Sequence, residues 1–326
     1  MADCPLVTVI VNCFNHAAFL EECLESVRCQ TYPAVQLIVM DDCSTDGSAE
    51  LIRGWRQRTA TDCAVVVNPA NRGLAATRNQ GLEMARGSYV SWISTDDAWF
   101  PDKIERQVER MESLPPGVGV IYSDALRVDV DGRRLPETFL AKELRGAPPP
   151  EGDIFARLAA DNFIPSMATM VRRRCLSDAG GYDVHVPIED WGLWVRLASL
   201  TRFAFSPLVS ARYRIVPGSR VSTLTLRDDF ESRLRVARRN LGHQRDADPK
   251  LRAGVARAAD YLYRSSYPGH LGMLWRAVPV ARSARVAAEA VLASAGVPHR
   301  RAAAAKAAVS RLGVRVRAGT GAPPAT

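Results

Sequence analysis

The sequence predicts an α/β protein, a mixed and mainly parallel sheet flanked by helices, with a C-terminal helical appendage. Two observations carry this. Over the first 125 residues short β-branched runs alternate with longer amphipathic stretches, as a parallel sheet with crossover helices does. From Arg227 onward the chain becomes rich in Ala and Arg with helical periodicity.

The expected strands are Val7 to Val11, Val35 to Met40, Ala64 to Val67, Tyr89 to Ile93 and Val118 to Ser123. Each is a nearly continuous apolar run, as a strand covered on both faces requires. A first helix near Ala18 to Cys29 puts Phe19, Leu20, Cys23, Leu24 and Val27 on one stripe. Another begins after Pro101 and stops before Pro115 and Pro116.

From Asp129 to about Gly152 turn residues dominate, with a hairpin at Asp131-Gly132, and a surface excursion is expected. A helix near Ile154 to Ala160, a strand near Met167 to Val171 and a helix around Trp191 to Leu200 follow. The chain thus divides into a globular region over 1–226, with halves of about 1–125 and 126–226, and a basic helical region over 227–326. Breaks are expected at Pro268, Pro279 and Pro298, and disorder in the closing GTGAPPAT.

Apolar residues make up 47% of the chain and charged ones 24%, a globular composition. The seven cysteines are odd in number and include no C-x-x-C pair, which argues against a disulfide framework or zinc site. No run of eighteen uncharged apolar residues occurs, and the N-terminus lacks the features of a secretory signal, so a cytoplasmic protein is expected. The net charge of +8 comes from residues 227–326, with 19 Lys/Arg against 7 Asp/Glu. No nucleic-acid motif accompanies it, and no nucleic-acid partner is expected. Its apolar and Arg positions can segregate on helices lying on an anionic membrane, which predicts peripheral contact through 227–326 at the inner face. Helices folded on the rest of the protein with Arg outward are the alternative.

Three acidic pairs flank strand ends or helix starts: Asp41-Asp42, Asp96-Asp97 and Glu189-Asp190. Each could be a helix cap. Adjacent carboxylates repel unless a cation or hydrogen-bond donors stand between them. Mg²⁺ or Mn²⁺ suits such oxygens, and substrate phosphates then fill further positions. Asp96-Asp97 also falls at the carboxyl end of the fourth strand, where open α/β sheets bind ligands.

The succession VTVIVNCFNH, VMDDCSTDGS, NRGLAATRNQGLEMARGSYVSWISTDDAWFPDKIERQ and GGYDVHVPIEDWGLWVRLA resembles the family 2 glycosyltransferases of the GT-A, Rossmann-like fold, over Pro5 to Ser222. The resemblance implies an inverting enzyme moving a sugar from a nucleotide diphosphate sugar to an acceptor hydroxyl. UDP sugars are expected first, with dTDP and GDP sugars behind. Polysaccharide, glycolipid or glycosylated-metabolite synthesis is the implied setting. Residues 1–125 would hold the nucleotide sugar and 126–226 the acceptor.

By the same resemblance Asn12 and Phe14 contact the base, Phe14 replacing the commoner Tyr, and Asp42 accepts a hydrogen bond from the uracil ring. Arg78 lies near the nucleotide. Asp96 faces the ribose or sugar and Asp97 holds Mg²⁺ or Mn²⁺, in a two-acid form of the D-x-D motif. Asp190 takes the proton of the acceptor hydroxyl, and Glu189 and Trp191 bind or orient the acceptor. Relatives carry a histidine where this chain has Val216, so water and phosphate complete the metal shell, or His185 swings in, or metal dependence is weak; a lone histidine is more often a surface or packing residue, and His185 is not taken as a ligand. A sugar-nucleotide pyrophosphorylase would need a glycine-rich basic loop after the first strand, which NCFNHAAF does not supply. A non-catalytic nucleotide-sugar-binding or scaffold protein of this fold would be expected to have lost one or more of these acids.

Overall fold

The structure, a computed structural model, describes residues 4–243, 247–265, 267 and 269–294. The chain forms two compact units that meet between Leu224 and Thr225. The first is built on an eight-stranded sheet. Its strands are β1 (Val7–Cys13), β2 (Val35–Asp41), β3 (Cys63–Val67), β4 (Tyr89–Ser94), β5 (Ala98–Trp99), β6 (Val118–Val128), β7 (Thr169–Arg172) and β8 (Arg202–Arg214). They lie in the order β3-β2-β1-β4-β7-β6-β8-β5.

The β3-β2-β1-β4 half is parallel, whereas β7 runs antiparallel to both its neighbours and β5 antiparallel to β8. The expected mixed, mainly parallel sheet is therefore present. All seven residues of β1 are buried, which is why its sequence shows no polar alternation. On the front half of the sheet pack α1 (Ala17–Arg28), α2 (Ser48–Thr59) and α3 (Leu74–Met84), and α4 (Lys103–Glu112) follows β5. Leu20, Cys23, Leu24 and Val27 form the buried stripe of α1, while Phe19 lies outside it.

α3 approaches β1 closely because residue 81 is glycine: a Cβ there would stand 2.8 Å from the Ile10 side chain. This brings Arg78, one turn earlier on α3, over the sheet.

Further along the chain the structure departs from expectation. The excursion after β6 is not wholly irregular, since α5 (Phe139–Leu144) forms within it, capped by the Thr138 hydroxyl. After α6 (Phe155–Leu158) and α7 (Arg173–Ala179), α8 runs Glu189–Leu200, so the Glu189-Asp190 pair forms the first helical turn instead of preceding it. The strand β8 was not foreseen at all. A short helix, α9 (Arg220–Thr223), closes the first unit.

The second unit contains α10 (Leu226–Asn240), α11 (Asp248–Arg264), α12 (His270–Ala281) and α13 (Ala284–Ser294). Thr225 caps α10 through a reciprocal bond with Asp228. Pro279 does not interrupt the helical region: it sits inside α12, two residues from its end. Pro268, Pro298 and the GTGAPPAT end lie outside the described residues. Among those described, no helix is long and apolar enough to cross a membrane.

Candidate functional site

The order of the sheet reverses at β1, between β2 and β4, and the carboxyl ends of these strands open the crevice expected of such a switch point. Asn12 lies opposite Ser94 in the β1–β4 ladder, and the Thr95 N–H donates to the Asn12 carbonyl at 3.0 Å. Asn12 is buried, with neither side-chain amide atom hydrogen-bonded. Phe14, two residues on, is 44% exposed and presents its ring where the strand has ended.

Asp42 follows β2 and is buried. Its Oδ1 accepts from Asn68 Nδ2 at 2.9 Å and from the Arg72 N–H at 3.0 Å, and its Oδ2 accepts from the Gly73 N–H at 2.8 Å. The NRG turn is thus folded onto this carboxylate, and a carboxylate oxygen accepts two hydrogen bonds, so Oδ2 keeps one position for a ligand donor.

Asp96 and Asp97 form the turn between β4 and β5. Burial, and next the neighbouring charge of Asp96, push the Asp97 carboxyl well above the usual carboxylate range. Burial raises Asp96 as well, opposed first by His16. His16 Nδ1 stands 3.7 Å from Asp96 Oδ1, an oxygen that is buried without a hydrogen bond.

The turn is held from β8. The backbone N–H of Arg214 donates to Asp97 Oδ1 at 3.0 Å, and its Nε donates to the Asp96 carbonyl at 3.0 Å. The same guanidinium reaches Glu22 Oε2 at 2.5 Å and the Val130 carbonyl at 3.2 Å, over the face of Phe19. Arg214, His16 and Glu22 were not singled out from sequence. The available signal was Arg214 itself, a cation followed by Ile215 and Val216, which must find acceptors if it is buried.

Asn79 of α3 clamps the turn before α8: its Oδ1 accepts from the Tyr182 N–H at 2.7 Å and its Nδ2 donates to the Tyr182 carbonyl at 2.9 Å. Gly181 permits this at φ +67°, since a Cβ there would stand 2.6 Å from Asn79 Oδ1. Beneath, Trp92 of β4 stacks on Trp194 of α8 with centroids 5.6 Å apart. The start of α8 is thereby fixed beside α3. Arg78 Nη1 lies 3.4 Å from Glu189 Oε1, both buried, and its guanidinium faces the Tyr182 ring at 5.3 Å.

Asp190 accepts at Oδ1 from the Trp191 N–H at 2.6 Å and from Asn162 Nδ2 at 3.3 Å. Burial, then the charge of Glu189, raise its carboxyl to about 6, against the opposing pull of Arg78. Arg78 also favours the charged forms of Asp96 and Asp97, so one buried guanidinium acts on the acids after β4 as well as on those of α8.

One expected contact is not made. Trp191 is 3% exposed and its indole N–H donates to the Leu158 carbonyl at 2.7 Å, so it fastens α8 to α6 and offers no face to an acceptor. His185 is exposed on the loop before α8, and among the described residues no three His, Cys, Asp or Glu side chains gather into a metal shell. The donor set at the β4–β5 turn is two carboxylates, one with a buried unbonded oxygen. This fits a hard cation held by few protein oxygens with substrate phosphate supplying the rest.

The family described as "Glycosyl transferase family 2" matches residues 8–176, which includes the Asp42, Arg78 and Asp96-Asp97 positions and ends before Asp190. The putative teichuronic acid biosynthesis glycosyltransferase TuaG of Bacillus subtilis (strain 168) is 38% identical over 107 residues, 33% of this chain and 42% of TuaG. The matches span 30–42% of the length of the first curated relatives. Among solved structures, S. aureus TarS 1-349 in complex with UDP-GlcNAc is similar with a TM-score of 0.67 at 18% identity, over 87% of this chain and 83% of that one. The mannosyltransferase PcManGT of Pyrobaculum calidifontis, in complex with GDP-Man and Mn²⁺, is similar with a TM-score of 0.52 at 21% identity, over 97% and 82%. A family match covering more than half the chain, on a sheet of this order, leads to one conclusion: the chain belongs to family 2 of the glycosyltransferases and has the GT-A fold.

Proposed function

We propose that the chain is an inverting glycosyltransferase that moves a sugar from a nucleotide diphosphate sugar, UDP-linked in the first instance, to an acceptor hydroxyl. The acceptor belongs to polysaccharide, glycolipid or glycosylated-metabolite synthesis. The observation that carries this is one buried cation, Arg78, paired with Glu189 at 3.4 Å and acting on two acid sets: Asp96-Asp97, where a donor's phosphates would lie, and Asp190, raised to about 6.

In this reading Phe14 stacks on the base, the free position of Asp42 Oδ2 takes the ring N–H, and Asn12 lines the floor. Asp96 addresses the ribose or sugar. Asp97, with Asp96, would hold Mg²⁺ or Mn²⁺, which supplies neutralising charge to the leaving diphosphate. Asp190 removes the acceptor proton while the acceptor oxygen attacks the anomeric carbon from the face opposite the diphosphate. The bond to the diphosphate breaks with its electron pair leaving on phosphate oxygen, through an oxocarbenium-like transition state, and the configuration inverts. The Arg78–Glu189 pair keeps Asp190 aimed. Its Asn162 and Trp191 N–H bonds fix one oxygen, Oδ1, and leave Oδ2 to accept the proton.

The family match supports sugar transfer. The UDP-GlcNAc held by TarS supports a UDP-linked donor, and the Mn²⁺ of PcManGT supports the cation.

A thermal-shift screen of UDP, dTDP and GDP sugars with and without Mn²⁺ tests the donor assignment. A ligand at about a hundred times its Kd stabilises the folded state by about 2.7 kcal/mol, which raises Tm by roughly 5–10 °C for a region of this size. UDP sugars with Mn²⁺ are expected to give the largest shift, and a larger shift with dTDP or GDP sugars overturns the UDP assignment.

A further inference from the structure

We propose that the outer face of α12 and α13 docks the protein on an anionic lipid surface. This goes beyond the transfer reaction and does not depend on it.

α12, HLGMLWRAVPVA, is mostly apolar, with His270 and Arg276 its only ionisable side chains. Met273, Leu274, Ala277, Val280 and Ala281 are buried inside the helical unit. Its opposite face shows Leu271, 38% exposed, and Trp275, 48% exposed, one turn apart, with Pro279 a further turn along. The Trp275 indole N–H donates to Ser294 Oγ at 3.1 Å, which places the end of α13 beside it. Val291, 57% exposed, lies one turn before Ser294 on the same side of α13. Single exposed apolar residues are ordinary, but a tryptophan grouped with leucine, proline and valine on two adjoining helices is a patch, and such patches mark interaction sites.

Charge selects the partner. Arg282 is exposed at the end of α12, in line with Leu271 and Trp275. Arg276, on the adjoining position, is already ion-paired with Glu231 of α10. Immediately after α13, residues 295–326 contain six Lys/Arg and no Asp or Glu. A second copy of the chain seated on this face would bring its own Arg282 into the same contact. A bilayer of anionic lipid satisfies both features: the Trp275 face enters the headgroup boundary and Arg282 meets the surface charge.

Co-sedimentation of the full chain with vesicles tests this, using phosphatidylcholine alone and phosphatidylcholine mixed with phosphatidylglycerol. Partitioning is expected to be at least about tenfold stronger on the mixed vesicles and to weaken as salt is added. Trp275→Ser and Leu271→Ser are each expected to lower it about three- to tenfold, while Trp275→Phe retains most of it. Tm and the thermal response to nucleotide sugars should stay unchanged, which keeps the result separate from the catalytic reading. Equal or absent binding on the two vesicle types, or undiminished binding by both Ser variants, would overturn the proposal. So would a wild-type dimer that the Ser variants convert to monomer.

Discussion

Asp190→Asn is expected to lower kcat by about 10³-fold, within the 10²–10⁴ that a positioned general base contributes, with the KM for donor little changed. Asparagine keeps an oxygen for the Trp191 and Asn162 donors but cannot take the acceptor proton. The wild-type pH profile carries the same information. The base must be ionised, and burial beside Glu189 raises its carboxyl from 3.8 to about 6, so kcat should rise with pH through about 6 and level off above it. In Asp190→Asn this limb should vanish.

The same shift fixes the sign of the stability change. The unfolded chain gives up this proton near 3.8 and the folded one near 6, so the group's contribution to stability falls as pH rises between those values. Above 6 the ionised side chain costs the fold on the order of 2–3 kcal/mol. Asp190→Asn should therefore have a higher Tm than wild type at pH 7.5 while losing turnover. An inactive variant with lowered Tm would point to a folding defect and count against the assignment.

Asp97→Asn is expected to reduce kcat/KM by about 10²–10³-fold, the usual cost of removing one electrostatic contact to a transition state's developing charge. Asparagine can still accept the Arg214 N–H, so the turn should persist. The Mn²⁺-dependent part of the thermal response to UDP sugars should disappear with the carboxylate. Arg214→Met probes the same turn from behind: it releases the Asp96 carbonyl and Glu22, and a misplaced turn should cost about 10- to 100-fold in turnover. Arg214→Lys keeps the charge but not the fork that spans both partners, and should fall between Met and wild type. Wild-type turnover in Asp97→Asn would remove the acidic pair from the mechanism.

The parallel half of the sheet was readable because β1, β2 and β4 are covered on both faces and spell continuous apolar runs, while their carboxyl ends give the site an address. The strand β8 was not. RFAFSPLVSARYR mixes buried and exposed positions, carries Pro207, and meets β6 through a shift in register between Tyr122 and Asp124, so no clean period of two survives. With the strand hidden, its terminal Arg214 could not be placed beside the site. Its grip on the Asp96-Asp97 turn joins residues more than a hundred positions apart.

Trp191 is a different case. The resemblance sets it against the acceptor, but the helix begins at Glu189, and that register turns the indole inward to Leu158. Arg78 and Glu189 could each be nominated separately. Their pairing required the glycine at 81 and the Asn79 clamp, both of which report on close approach in three dimensions.

The central claim, a single displacement assisted by Asp190, is tested most directly without knowing the acceptor. Water can stand in for it, and proton NMR can identify the first-formed anomer as an α-linked UDP sugar is hydrolysed. A single displacement with Asp190 as the base predicts the β anomer first, with formation suppressed in Asp190→Asn. First formation of the α anomer, or an undiminished rate in Asp190→Asn, would contradict it.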